Sequence, residues 1–547
     1  MAKMYFPQYA RGREGVEIVE GETVLQHIRR AGGVEIDSEC GGRGTCGRDV
    51  IRVEGGGSAL GDPTDAEKHR LRRGGLRRDQ RLACQARVVD GSRDVRVFIP
   101  HFGRYTVLTD TLSTAVEVQP WVLASDGRVV DAEGGDLGPY GGRVLGLAVD
   151  VGTTTLVMQL VDLETGENVG KPMASKNPQI AYGNDVISRI GHTMGVQGGL
   201  EELQEVVVDG INRTLRELGG VQFGEDPFWQ SVYDVVVVGN STMRNVFFGR
   251  SVRDLGVIPF EAQDRDEVLV PAASIGLDVH PRAWAYGPPI IGGHAGSDCL
   301  ADIIATRLYE SGTTGMIIDI GTNGEVVIGN RERLMTASCA AGGAYEGYQI
   351  RCGVGAINGA ITRIRIEDGR SVYETLGNKA PLGVCGSGVI DLLAEMRRNG
   401  IMNERARIAG EYRFADSIRI SQEDINQLIM AKAGLRTDQD LLVRYFGTSV
   451  DRIDRIYLAG AFGNTMSIPN AKLIGLLPDV DEERFIRFGN GALAGARDML
   501  LSRRRREDAV RIIGMTTHTK PNEIEGEEFQ FMVADRMYFA GGSPAGS

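Results

Sequence analysis

Apolar positions divide the chain into two regimes. Up to about residue 100 they come in short runs with a period near two, interrupted by one helical stretch. Val16 to Val19 reads as a strand, and Thr23 then N-caps a helix that carries Leu25, Ile28 and Ala31 on one face. Further on, Ala86-Arg87-Val88-Val89, the turn Asp90-Gly91 and Val95 to Ile99 predict a terminal hairpin. From residue 144 to about 520, runs dense in Val and Ile alternate with helical stretches, the pattern of an α/β domain. Residues 101–143 lie between these regimes. They hold an extended segment, Tyr105 to Val118, and the stretch Glu133 to Gly142, whose glycine and proline predict a flexible linker. Residues 521–547 form a C-terminal extension, with a disordered end expected from Ala540 to Ser547.

Composition narrows the class without choosing a function. A chain of 547 residues with 42% hydrophobic content has material for several cores. No run of eighteen apolar residues and no N-terminal leader pattern is present, so a soluble protein of the cytoplasm is expected, with no membrane partner. The 7 cysteines are too few for a secreted disulfide scaffold and imply a reducing compartment. A net charge of -12 argues against nucleic acid as a partner, while leaving locally bound nucleotides open.

Three of those cysteines have a specific arrangement. Cys40-Gly41-Gly42-Arg43-Gly44-Thr45-Cys46-Gly47-Arg48-Asp49, followed much later by Arg81-Leu82-Ala83-Cys84, reads as a 2Fe-2S ligand frame with the spacing C-x5-C-x2-D, similar to the tight cysteine run and remote cysteine of plant-type ferredoxins, with Asp49 where the third cysteine should be. Small residues between the thiolates suit a loop that folds tightly and turns N–H groups toward sulfide. The strand and helix order around it suits a β-grasp, ferredoxin-like domain over residues 1–100. Cys40, Cys46 and Cys84 are the expected iron ligands, and Asp49 the fourth, since a carboxylate can coordinate iron. Water or another side chain at that iron is the alternative, as is a glycine-rich loop holding inert cysteines.

The large domain repeats a turn. Leu147-Ala148-Val149-Asp150-Val151-Gly152-Thr153-Thr154-Thr155 and Ile317-Ile318-Asp319-Ile320-Gly321-Thr322-Asn323-Gly324-Glu325 are both apolar strands that end in D-[VI]-G-T and continue into another strand. Two copies suggest two related halves facing a cleft. In such a turn glycine lets backbone N–H groups approach phosphate oxygens, threonine adds donors, and the aspartate can hold magnesium, usually through water. A second pair, Val235 to Met243 and Ile456 to Asn464, delivers Gly239 and Asn240, and Gly460, Ala461, Phe462 and Gly463, into turns where an adenosine would lie. A pair of ordinary hairpins is the competing reading.

These segments resemble the ATPase superfamily of actin, sugar kinases and heat-shock chaperones. Asp150 to Thr155 looks like its first phosphate motif, Asp319 to Asn323 like its second, and Leu458 to Gly463 like its adenosine motif. Joined to the N-terminal frame, the combination is similar to the ATP-dependent reductive activators of corrinoid proteins. Further stretches fit that family: Asn177-Pro178-Gln179, Gly183 to Arg189, Cys339 to Gly347, and Phe488 to Ala496. Two departures stand out: Asp49 itself, and a linker too short for the additional middle domain of some members.

The resemblance implies a chain that passes an electron through its 2Fe-2S cluster to convert a corrinoid cobalt from Co(II) to Co(I), driven by ATP. Its implied cofactors are the cluster, ATP and Mg2+. Its implied partners are a corrinoid protein of a methyltransferase system, an electron donor protein and a second copy in a homodimer. Asp150 and Asp319 are then assigned to magnesium and water, and Gly152, Thr153, Thr154, Gly321, Thr322 and Asn323 to phosphates. Glu325, and after it Asp185, are candidates to orient the attacking water. A small-molecule kinase with a regulatory iron-sulfur domain and a nucleotide-binding redox sensor are the competing functions.

The remaining signals are read as structural. Cys299, Cys339, Cys352 and Cys385 lack paired spacing and are expected as small buried hydrophobes, with His294 also structural. Arg70, Arg72, Arg73, Arg77, Arg78 and Arg81, and the run Arg503 to Arg506, are basic stretches. The first of them could steer an acidic partner toward the cluster.

Overall fold

The computed structural model describes residues 2–7, 14–31, 36, 44, 49–72, 80–99, 116–183, 185–224, 227–321, 323–339, 343–346, 350–415, 418–460, 463 and 465–539. Cys40, Cys46, Thr322, Ala461 and Phe462 therefore lie outside the described residues, as do Arg73, Arg77, Arg78, residues 105–115 of the expected extended segment and the expected disordered end Ala540 to Ser547. Among the described residues, no helix is long and apolar enough to cross a membrane. The chain divides into two compact units. One gathers Met1–Thr106, Pro178–His192 and Gly343–Leu428; the other gathers Val107–Asn177, Thr193–Gly342 and Ile429–Ser547.

The first unit opens with a five-stranded sheet in the order Val16–Glu17, Lys3–Tyr5, Val95–Phe98, Val50–Gly55, Gln80–Leu82. Lys3–Tyr5 and Val95–Phe98 run parallel and the other pairs antiparallel, a mixed β-grasp sheet of the ferredoxin type. The helix Val24–Ala31 starts as predicted. Thr23 Oγ1 accepts from Gln26 N at 3.3 Å while Gln26 Oε1 accepts from Thr23 N at 2.7 Å, a reciprocal capping box. The predicted hairpin over 86–99 does not form. Val95, Val97 and Ile99 are fully buried, so their strand takes the sheet centre, where both edges are paired, and Arg87 and Val88 make only isolated bridges to Thr23 and Leu60.

The same unit contains a three-stranded sheet ordered Arg370–Thr375, Ala360–Glu367, Gly383–Val384, followed by the helix Gly386–Arg398. Val354, Ile357, Ala360, Leu382 and Cys385 from this later region share one apolar core with Met4, Ile28, Ile51, Leu82 and Val97. Arg52 Nη2 also donates to Arg351 O at 2.9 Å. The ferredoxin-like part thus completes its core with residues far along the chain.

The second unit holds two six-stranded sheets built to one plan. The first runs Asn168–Lys176, Thr155–Asp162, Leu145–Val151, Val232–Gly239, Trp284–Gly287, Val268–Pro271; the second runs Leu334–Cys339, Gly324–Gly329, Gly315–Ile320, Arg455–Ala459, Phe485–Gly489 from its corresponding side, with Thr516–His518 beyond Leu334–Cys339. In each, three antiparallel strands are followed by two parallel ones. This is the duplicated actin and sugar-kinase architecture that the repeated turns implied.

Residues 122–139, expected within a flexible linker, instead form the antiparallel meander Val122–Ser125, Arg128–Asp131, Asp136–Pro139. Val122, Val129 and Leu137 alternate into the core beside Tyr233 and Tyr286. The glycine-rich stretch is its turn: Asp131 Oδ1 accepts from the N–H groups of Glu133 and Gly135 at 3.0 and 2.7 Å. In the Arg503 to Arg506 run, Arg503 and Arg504 are exposed while Arg505 and Arg506 are buried. Arg506 is buried against Asp234, and Arg505 Nη1 donates to Glu310 and Asp508 carboxylates at 2.7 and 2.9 Å.

Candidate functional site

In the first unit, two of the four expected iron ligands are described, and they touch. Asp49 is fully buried at the start of strand Val50–Gly55, and Cys84 follows strand Gln80–Leu82, which pairs with it. Ala83 N donates to Asp49 O at 2.7 Å and Cys84 N to Asp49 Oδ2 at 2.5 Å. Asp49 Oδ1 is buried without a hydrogen-bond partner among the described residues. A carboxylate with one oxygen held by an amide and the other bare in a buried position is costly unless something binds it. That chemistry fits a metal centre at this point.

Glu67 supports the Cys84 segment. Its buried carboxylate accepts from Arg81 Nε at 2.8 Å, Leu82 N at 2.9 Å and Thr64 N at 2.9 Å. Burial alone would raise its pKa, but Arg81 and the two backbone donors hold it below the ordinary carboxylate value. Arg81, placed by sequence among the basic residues, is thus consumed in a buried pair. The signal for Glu67 was the T-x-x-E capping box Thr64 to Glu67.

In the second unit, both D-[VI]-G-T turns close as tight strand-to-strand connections. Gly152 N donates to Thr155 O at 2.9 Å and Gly321 N to Asn323 O at 3.0 Å. Asn177 braces the first turn, donating from Nδ2 to Gly152 O at 2.8 Å and from its backbone N–H to Thr154 O at 2.9 Å. Gly239 and Asn240 come beside it: Asn240 Nδ2 donates to Thr153 Oγ1 at 3.0 Å. Gly460 ends the parallel strand next to the second turn, where an added Cβ would lie 2.6 Å from Asp319 Oδ1. Asp185 belongs to the other unit, where Oδ1 accepts from Ser188 N at 2.8 Å at the start of helix Val186–Gly195.

Around these turns the structure assembles a buried carboxylate cluster. Glu325 is 5% exposed, and its Oε1 accepts from Ser338 Oγ at 3.3 Å. Asp298 and Asp302, which the sequence reading missed, lie one turn apart on helix Ser297–Thr306. Burial pushes Asp298 up to about 8, and the charges of Asp150 and Asp319 add to the rise. Burial, with Asp319 beside it, raises Asp302 well above the ordinary value, and burial likewise raises Asp319 and Glu325. Among the described residues neither oxygen of Asp302 has a donor other than the neighbouring Asp319 carboxyl. Buried like charges without donors favour either protons or a cation. Among the described residues no three of these side chains are arranged to hold a metal ion directly, so a divalent cation carried in with a nucleotide's phosphates would be held through water.

The helix Gly491–Leu501 joins the first turn to the helix that carries Asp298 and Asp302. Its N-cap, Asn490, accepts from Leu493 N at 2.7 Å and donates from Nδ2 to Asp150 Oδ2 at 2.9 Å. Gly491 leaves room for Asp302, whose Oδ1 would be 2.1 Å from a Cβ there, and Gly495 lets Ala301 O approach to 2.2 Å of the same position one turn on. The signals were two acids four apart on an otherwise apolar helix and a G-x-x-x-G spacing facing it.

Cys299, Cys352 and Cys385 are buried free thiols, as expected for structural cysteines. Burial raises the pKa of each above the ordinary thiol value. Cys339 is half-buried and its Sγ would be 3.1 Å from a Cβ at Gly324. Burial lowers the His294 imidazole, which keeps it neutral in its loop.

Comparison with known proteins agrees with this geometry. The family model for the 2Fe-2S iron-sulfur cluster binding domain matches residues 10–89, that for the RACo middle region matches 145–311, and that for the C-terminal domain of RACo, the ASKHA domain, matches 313–541. The chain is 30% identical over 427 residues to the corrinoid activation enzyme RamQ of Eubacterium limosum, covering 72% of this chain and 71% of that one. It is 26% identical over 433 residues to the [Co(II) methylated amine-specific corrinoid protein] reductase of Methanosarcina barkeri, covering 73% and 78%. A solved reductive activator for corrinoid,iron-sulfur protein superposes with a TM-score of 0.72 at 28% identity, covering 98% of both chains. With a ferredoxin-like part, a duplicated ATPase unit and relatives matched over most of their length, the chain belongs to the family of reductive activators of corrinoid proteins.

Proposed function

We propose that this protein reduces the cobalt of a corrinoid protein from Co(II) to Co(I) in an ATP-dependent cycle. The observation that carries the reading is the match to a solved corrinoid activator over 98% of both chains. A bound 2Fe-2S cluster supplies one-electron chemistry between a donor and the cobalt. Cys40, Cys46 and Cys84 hold it, and Asp49, through the oxygen that Cys84 N–H leaves free, is the fourth ligand.

The nucleotide unit does the conformational work. Gly152, Thr153, Thr154, Gly321, Thr322 and Asn323 receive phosphates, and Gly460, Ala461, Phe462 and Gly463 the adenosine; Gly239 and Asn240 brace the first turn. Asp150 and Asp319 hold Mg2+ through water, with Asp298 next to both, and Glu325 orients the attacking water. Nucleotide can drive reduction only by binding two conformations with different affinity. Closure of the two repeated halves over the phosphates is the change these turns support. An electron donor protein, a homodimeric assembly and a cytoplasmic location complete the reading.

The test mixes anaerobic protein, reductant and MgATP with a Co(II) corrinoid protein and follows the visible spectrum. Formation of Co(I) that requires ATP is expected. Phosphorylation of a sugar or acid without Co(I) would favour the kinase reading. In the same preparation, Asp49→Cys should change the cluster's absorption and EPR spectra. Identical spectra and iron content would remove Asp49 from the ligand set.

A further inference from the structure

Cys84 is followed by a side chain that faces its sulfur. Gln85 Nε2 lies 3.6 Å from Cys84 Sγ and 3.4 Å from Cys84 O. On its other side Gln85 meets the cluster loop: Gly44 has φ 74°, and a Cβ there would be 2.9 Å from Gln85 Cδ. Glycine is required at that position both for its left-handed backbone and for the space Gln85 occupies. The amide is therefore held between Gly44 and the cysteine.

The backbone donor next to this sulfur is already engaged. Cys84 N–H points at Asp49 Oδ2, 2.5 Å away, so a carboxylate takes the amide that would otherwise be available to sulfur. Gln85 supplies a replacement donor from a side chain.

We infer that Gln85 sets the reduction potential of the cluster by donating an N–H to the Cys84 thiolate. This rests on the reading that Cys84 ligates the 2Fe-2S cluster. Adding one electron makes the cluster and its thiolates more negative, and a donor aimed at a sulfur stabilises the reduced state more than the oxidised one. Gln85 therefore raises the midpoint and eases acceptance of an electron.

The experiment uses the full chain with reconstituted cluster, titrated with redox dyes while absorption and EPR are followed. Gln85→Leu removes the donor, and Gln85→Glu keeps the shape against Gly44 while replacing a donor with an acceptor. With iron and sulfide content unchanged, the reduced-to-oxidised ratio at the parent's midpoint should fall at least three-fold in Q85L and further in Q85E. A midpoint equal to the parent's in either cluster-containing variant overturns the inference. If one variant takes up no cluster, the other decides; loss of the cluster from both also overturns it, because Gln85 would then be a structural support only. A parent chain that binds no 2Fe-2S cluster would instead remove the underlying reading.

Discussion

His518 shows how one buried group makes the stability of the nucleotide unit depend on pH. It ends the strand Thr516–His518, with Nδ1 3.0 Å from Thr336 Oγ1. Burial lowers its pKa to about 4; Glu261 opposes this, while Lys520 and His294 add to it. The unfolded chain protonates this histidine near 6.5, which the folded chain resists down to about 4. Between those values the unfolded state binds more protons, so stability is complete above pH 6.5 and is lost as pH falls. At pH 5 the loss should be about 2 kcal/mol. Urea unfolding at pH 7.5 and pH 5 measures it: His518→Gln should lose less on acidification than the parent, and equal losses would exclude this histidine as the source. At this scale the sequence was partly transparent. Asp150, Asp319 and Glu325 could be named because a short motif fixes their place on a strand. Asp298 and Asp302 could not, since their chemistry comes from tertiary packing that brings a helix over both turns.

Among the elements, the helix Gly491–Leu501 couples cap and site in one residue. Asn490 accepts from Leu493 N and donates to Asp150 Oδ2, so its side chain both starts the helix and orients the acid of the first D-[VI]-G-T turn. Serine also caps helices well but is too short to reach Asp150. Asn490→Ser should therefore retain folding stability while kcat/KM for ATP hydrolysis falls about ten-fold, the expected effect of losing about 1.4 kcal/mol from a hydrogen bond to a charged group. Asn490→Ala should add a stability loss of about 1 kcal/mol. Steady-state hydrolysis by the serine variant at the parent's rate would assign Asn490 to capping alone. The repeated sheets were legible because each D-[VI]-G-T turn is local and apolar strands bracket it. Strand neighbours were not: Val95–Phe98 moved from a hairpin to the sheet centre, and residues 122–139 from linker to meander. In both cases partners distant in sequence supplied the buried surface, which a local pattern of turn residues cannot reveal.

The largest-scale feature is the shared core of the first unit. A tethered ferredoxin module would fold and lose its cluster independently of the ATPase sequence. Here Val354, Ile357, Ala360, Leu382 and Cys385 are buried in the same cluster as Met4, Ile28, Ile51, Leu82 and Val97. Those later residues lie in sequence between the second D-[VI]-G-T turn and Gly460, and they belong to the same compact unit as Cys84. Ile357 provides the test because it is 3% exposed and distant in sequence from every proposed ligand. Truncation of a buried isoleucine costs about 2–4 kcal/mol through lost transfer energy and the remaining cavity. In the full cluster-loaded chain, Ile357→Ala should lower the temperature at which visible cluster absorption is lost by at least several degrees. An independent module would lose its cluster at the parent temperature, even if another thermal transition shifted. The signal reads the ferredoxin-like part while the mutation sits in residues 343–428, so a shift requires that the two share stability.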